Sequence, residues 1–168
     1  RGPSPAETFL SVRSTQGSVG NDDSGSSLQG SFFQATGPVG EQFQVNDFIV
    51  GSQLAPAISA SPNGDFVVVW TSEASPGDDS DFTSIQARLF NSDGTAKGPS
   101  FQVNQKTALF QDTPDVAVAD DGGFVVVWQD FDPVTSIGDI YAREFNAMGE
   151  ALGDEVIVNE PGTGKMKI

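Results

Sequence analysis

Two stretches of this chain break the alternation of apolar and polar residues that marks a sheet strand with one wet face. Phe66–Trp70 reads FVVVW, and Phe124–Trp128 repeats the same five letters. Each follows a turn signal, SPNGD before the first and ADDGG before the second. Successive side chains of a strand point to opposite faces. Phe66, Val68 and Trp70 therefore share one face, and Val67 and Val69 share the other. With both faces apolar, both must be covered, so the pattern predicts strands sandwiched between neighbouring sheets.

The surrounding pattern repeats with them. Phe66 and Phe124 stand 58 positions apart. IQARLF (Ile85–Phe90) or IYAREF (Ile140–Phe145) follows, then a turn, NSDGT or NAMGE, then FQVN (Phe101–Asn104) or VIVN (Val156–Asn159). The N-terminal part fits more loosely: FLSVRS (Phe9–Ser14), LQGSFF (Leu28–Phe33) and a second FQVN (Phe43–Asn46), with Arg13 in the place of the Trp and Ser31 in the place of the Arg. Repeats are thus expected over about 1–46 (degenerate), 47–104 and 105–159, as one repeat domain. Each full repeat contains four predicted strands, opened by PAISA or PDVAVA, and no window carries a helical period. Four-stranded antiparallel sheets covered on both faces, at a fixed period, predict all-β, β-propeller-like blades. A β-trefoil or β-prism with pseudo-threefold symmetry is the alternative. The first repeat lacks its opening strand. The 160–168 tail with GKMKI, or another chain, is expected to supply it, and two copies would bring six blades together.

Composition narrows the chemistry. The 168 residues suit one domain with a real core, and Gly, Pro, Val and Phe favour strands and turns. A formal charge of -15 argues against nucleic acid and anionic lipid and suits hard cations. There is no Cys and no His, which removes disulfides, thiolate catalysis, Cys-based zinc sites and the commonest general base. No apolar run is long enough to cross a bilayer, and no signal peptide is visible at RGPSPAETF, as in a processed product or an excised piece.

Candidate site residues fall in two groups. The segments between the second and third strands of each repeat carry carboxylates: Asp22 and Asp23; Asp78, Asp79 and Asp81; Asp130, Asp132 and Asp139. Alternate carboxylates and carbonyls can converge on a hard cation, so calcium is the candidate ion, although none of these segments has the EF-hand pattern. Solvated loops are the simpler reading. Arg88 and Arg143, equivalent in the third strand, and Trp70 and Trp128, equivalent in the second, could hold a carboxylate or stack on a sugar. Their structural alternative is packing within the core. Asp65, Asp93, Asp120 and Asp121 read as turn residues, and Asn46, Asn104 and Asn159 as side-chain caps closing the fourth strands.

DDGGFVVVWQD…IYAREFNAMGEALGDEVIVN resembles a repeat common in large bacterial secreted and surface proteins. The likeness is strong over Gln53–Asn159 and weak in the first repeat. That repeat often occurs beside RTX-type calcium repeats or adhesin modules, so the resemblance implies an extracellular or cell-surface, propeller-like module. The regular RTX nonapeptide is absent here. The resemblance brings no catalytic motif, and no nucleophile elbow or phosphate-binding loop is present. The expected function is a non-catalytic binding or adhesion module, with a homo-oligomer or neighbouring repeats as partners. The alternatives are a lectin with repeat-equivalent sugar sites and a glycosidase using two carboxylates.

Overall fold

The computed structural model describes residues 8–16, 25–74, 79, 82–135, 137–161 and 165–166. Among these the structure is all-β, in three antiparallel sheets of three or four strands with one strand order throughout, and a small two-stranded sheet near the C-terminal end. The first contains β1 (Phe9–Gln16), β2 (Ser26–Gln34) and β3 (Gly37–Gln44). The second contains β4 (Gln53–Ala60), β5 (Phe66–Ser72), β6 (Ser84–Phe90) and β7 (Phe101–Gln102). The third contains β8 (Phe110–Val118), β9 (Phe124–Asp132), β10 (Ile137–Phe145) and β11 (Val156–Ile157). Each strand pairs with the next in sequence, so each sheet is a meander built from one repeat. Among the described residues, the bridge between Thr83 and Phe110 joins the ladders of two repeats.

Local chemistry sets the hairpins. The SPNGD turn closes with Ser61 N–H on the Asp65 carbonyl and Gly64 N–H on the Ser61 carbonyl. ADDGG repeats both bonds at Ala119 and Gly122. Gly64 and Gly122 sit at φ 88° and 86°, a region that glycine enters without a Cβ clash. The strand before each turn carries a bulge, between Leu54 and Ala57 in β4 and between Asp112 and Asp115 in β8. Ala55 and Thr113, equivalent positions, take φ 47° and 50° there. The repeat has kept a strained backbone as well as a sequence.

The sheets stack face to face. Every residue of β5 is buried, as the unbroken apolar run predicts. Phe66, Val68 and Trp70 join Leu28, Val45 and Phe90 in a cluster against the first sheet. Val67 and Val69 join Ile85, Val103, Val126 and Trp128 in a second cluster against the third sheet. The two rings that open each second strand and close each third strand stack in parallel, Phe66 on Phe90 and Phe124 on Phe145, with centroids 5.0 Å apart in both pairs.

Two expectations change. The five apolar letters of β9 do not produce a fully buried strand: Phe124, Val126 and Trp128 are buried, whereas Val125 and Val127 are half-buried. Among the described residues the third sheet has a neighbouring sheet of the stack on one side only, so the second face of its FVVVW run is not covered as that of β5 is. Among the described residues the first sheet has three strands, and the described part of GKMKI is not one of them. Lys165–Met166 (β13) pairs with Asn159–Glu160 (β12) at the end of the third repeat.

Candidate functional site: the junctions between sheets

The two junctions between sheets share one set of interlocking side chains. In each, an arginine of the later sheet reaches the backbone of the earlier one. Arg88 Nε donates to the Gly98 carbonyl and Nη1 to the Val45 carbonyl at 2.8 Å. Arg143 makes the same two bonds, to Gly153 and, at 2.8 Å, to Val103. Their guanidinium carbons sit 5.6 Å and 5.5 Å from the Phe90 and Phe145 ring centroids. Arg88 also lies 3.6 Å from the Asp47 carboxylate. The ligand-binding reading of Arg88 and Arg143 is therefore corrected: both tie one sheet to the next. A planar fork suits this task because a lysine ammonium cannot direct two donors at two fixed carbonyls. Arg143→Lys is expected to lower stability by about 1–3 kcal/mol, by leaving a partly buried carbonyl without its donor; denaturant titration measures it, and an unchanged midpoint would contradict the role.

Trp70 and Trp128 are 1% and 2% exposed. Neither offers a face to a sugar, so the stacking-platform reading is also corrected to core. Trp70 donates its indole N–H to Gln53 Oε1 at 2.8 Å. Gln53, buried, anchors in turn on the Val50 carbonyl. Gln111, its equivalent, anchors on the Ala108 carbonyl. Sequence reading missed this glutamine pair, although the shared Gln-x-x-Pro spacing marks it.

The three recurring asparagines do more than cap. The Oδ1 atoms of Asn46, Asn104 and Asn159 accept the backbone N–H of Leu28, Ile85 and Ile140, the equivalent residues of the third strands, at 2.8, 2.8 and 2.7 Å. Their Nδ2 groups donate to carbonyls just beyond, at Phe48, Lys106 and Glu160, which is the expected capping. Each asparagine so continues the ladder where the fourth strand has ended. A further lock crosses each junction: Asp47 accepts the Ser100 N–H and hydroxyl, and Glu155 accepts the Gln105 and Lys106 N–H groups. Burial alone would raise the Asp47 carboxyl, but the Ser100 donors and Arg88 hold it below its ordinary value of 3.8.

The expected calcium ligands divide. Asp22, Asp23, Asp78 and Asp81 lie outside the described residues. The others have protein partners. Asp79, buried, accepts from Asn104 at 2.8 Å. Asp130, buried, accepts from Lys106 at 3.0 Å and Gln111 at 3.2 Å. Asp132 accepts the Val134 N–H and the Thr135 hydroxyl, which hold its carboxyl below the ordinary range. Asp139 accepts from Asn159 at 3.0 Å. Burial would lower the Lys106 ammonium, yet the Asp130 carboxylate keeps it above its ordinary 10.5. Among the described residues no three carboxylates gather in a way that could hold a metal ion. Asp79, Asp130, Asp132 and Asp139 are each engaged by donors of the protein itself, at the loop end of their sheets.

The turn residues behave largely as expected. Asp93 accepts the Thr95 N–H and hydroxyl, and Asp121 accepts the Gly123 N–H. Asp65 reaches further, to Lys97 at 2.7 Å, linking two turns of the second sheet.

Open space recurs between these locks. Where the turn after β6 leans on the first sheet, a cleft of about 510 Å³ opens beside Phe32, Phe43, Asp93 and Gly94. Where the turn after β10 leans on the second sheet, a cleft of about 480 Å³ opens beside Leu89, Phe101, Met148 and Gly149. Gly94 and Gly149 are equivalent, and a Cβ on either would come within 3.0–3.1 Å of the ring or methyl below. The floors are apolar in both. The rims differ, with Glu41 and Asp93 on the first and Lys97 and Ser100 on the second. A third cleft, about 330 Å³, runs on from the second between the SPNGD and ADDGG turns, above Phe66, Val67 and Phe124.

No family model matches the chain, and no curated protein matches it. Among solved structures, an endo-arabinase from Bacteroides thetaiotaomicron VPI-5482 aligns with a TM-score of 0.49 at 16% identity, over 81% of this chain and 53% of that one. This chain spans about half the length of that protein.

Proposed function

We propose that the chain is a non-catalytic, extracellular or cell-surface repeat module that binds through the clefts at its sheet junctions. The observation that carries this reading is the recurrence of an apolar-floored cleft at the equivalent place in both junctions, about 510 and 480 Å³. A pocket of that size with an apolar floor and a few rim polar groups suits a small ligand or a side chain of a partner. Two such places on one rigid stack suit multivalent attachment, in which modest affinities combine. Arg88 and Arg143 are engaged in holding sheets together, and Asp79 and Asp130 are engaged by donors of their own repeats. The different rims imply that the two clefts select different ligands, an acidic rim for one and a lysine-bearing rim for the other.

The test is a binding screen of the chain against a glycan array and a panel of extracellular polymers and peptides, with Met148→Asp and Asp93→Lys as cleft variants. Binding that either variant reduces tenfold or more supports the reading. Binding unaffected by both variants would place the site elsewhere, and turnover of any glycoside in a parallel hydrolysis panel would overturn the non-catalytic assignment.

A further inference from the structure

The stack has two outer faces, and the chain itself shows how such faces are covered. Each sheet has a forward face, turned toward the next repeat, and a back face, turned toward the one before. The forward face of the second sheet presents Val67, Val69, Ile85 and Val103, all buried under the third sheet. The third sheet carries the same residue types at the same places, Val125, Val127, Ile140 and Val158. There Ile140 is 36% and Val158 38% exposed. The back faces tell the matching story. The stacked pairs Phe66–Phe90 and Phe124–Phe145 are buried against the preceding sheet. The equivalent pair of the first sheet, Phe9 and Phe33, is opposed in register across β1 and β2 but is 58% and 36% exposed.

The two outer faces also differ from the inner ones, and in opposite senses. On the back face of the first sheet, Arg13 stands where the inner sheets have Trp70 and Trp128, and it is exposed. On the forward face of the third sheet, Asp115 and Glu144 stand where the second sheet has Ala57 and Leu89, and both are exposed. One outer face has exchanged an aromatic for a cation, and the other has exchanged two apolar residues for carboxylates. Coincident changes of this kind fit two faces that meet each other. Among the described residues they lie at opposite ends of the stack, where a second copy of this chain can offer each the face it lacks.

We infer that two copies of this chain associate head to tail, the back face of the first sheet (Phe9, Phe33, Arg13) seating on the forward face of the third sheet (Val125, Val127, Asp115 and Glu144) of the other copy. Done reciprocally, this makes two identical junctions and brings six sheets together, within the usual number for a closed ring of blades. The local opposite charges offset the mutual repulsion of two chains carrying -15 each. The inference is independent of the ligand reading, since the clefts lie at the inner junctions.

Light scattering of the chain near physiological salt decides it. A dimer is expected at about 100 micromolar, well above the dissociation constant of a micromolar interface. Arg13→Glu alone, and Asp115→Lys with Glu144→Lys in one chain, should each return a monomer, because every junction then opposes like charges. Mixing those two variants should restore the dimer, because each junction of the mixed pair is complementary again. Far-ultraviolet circular dichroism confirms that both variants keep their sheets. A wild-type chain monomeric at that concentration overturns the inference, and so does a dimer that either variant leaves intact or that the mixture fails to restore.

Discussion

Trp70→Ala should come close to unfolding the protein. Trp70 is buried in the cluster between the first two sheets, and its N–H is held by Gln53. Removing a buried aromatic costs about 3–5 kcal/mol from lost burial and the cavity left behind. The loss here also leaves Gln53 Oε1 without its donor in a buried place, adding a penalty of about 1–3 kcal/mol. Against a total stability of about 5–15 kcal/mol for a domain of this kind, little margin remains. Trp70→Phe separates the contributions, since it keeps most of the ring volume and removes only the N–H. It should lose about 1–3 kcal/mol by equilibrium denaturation. If Trp70→Ala lost less than Trp70→Phe, the cluster would not be the core that the packing indicates.

Asn104 should be nearly as sensitive, although it is polar. Its side chain answers the Ile85 N–H, the Lys106 carbonyl and the Asp79 carboxylate, and it is buried. Asn104→Ala strands three groups at once, each at about 1–3 kcal/mol when no water replaces the partner. Asn104→Asp gives a sharper signature. The new carboxylate still accepts from Ile85, but it faces the Lys106 carbonyl and the Asp79 carboxylate with no proton to donate. Its folded-state pKa is then raised, so the ionised form destabilises, and the deficit relative to wild type should shrink as pH falls through that raised value. A deficit independent of pH would show that Asn104 acts by shape alone.

These residues also show how far the sequence could be read. The all-β class and the two faces of β5 were legible because burial on both sides leaves no polar position in FVVVW. The same letters misled in β9, where Val125 and Val127 are half-buried. Burial is a property of the neighbour, and five residues do not say whether a neighbour exists. Arg88 and Arg143 were visible as a recurrence, but their acceptors, Val45 and Val103, lie 43 and 40 positions away. A carbonyl carries no signature in the sequence, so an arginine that binds one looks like an arginine that awaits a ligand. The asparagines were read as local caps because their Phe48 and Lys106 contacts are local; the bond back to the third strand spans 18 or 19 positions in the first two repeats. The acidic segments looked like cation sites because carboxylate spacing was all that could be seen. Lys106, Gln111, Asn104 and Asn159, which answer those carboxylates, come from segments 19 to 25 positions away.

The position of β5 between two clusters has a consequence for how the molecule opens. Its alternate residues belong to different cores, one shared with the first sheet and one with the third. Stability in a stack is close to a sum over sheets and their junctions. Fraying an outer sheet gives up one junction, whereas opening the second sheet gives up both. Amide protons of β5 should then exchange with solvent only through global unfolding, and those of β1 through a smaller local opening. The middle of the chain would act as an anchor, forming first in folding and yielding last under denaturant.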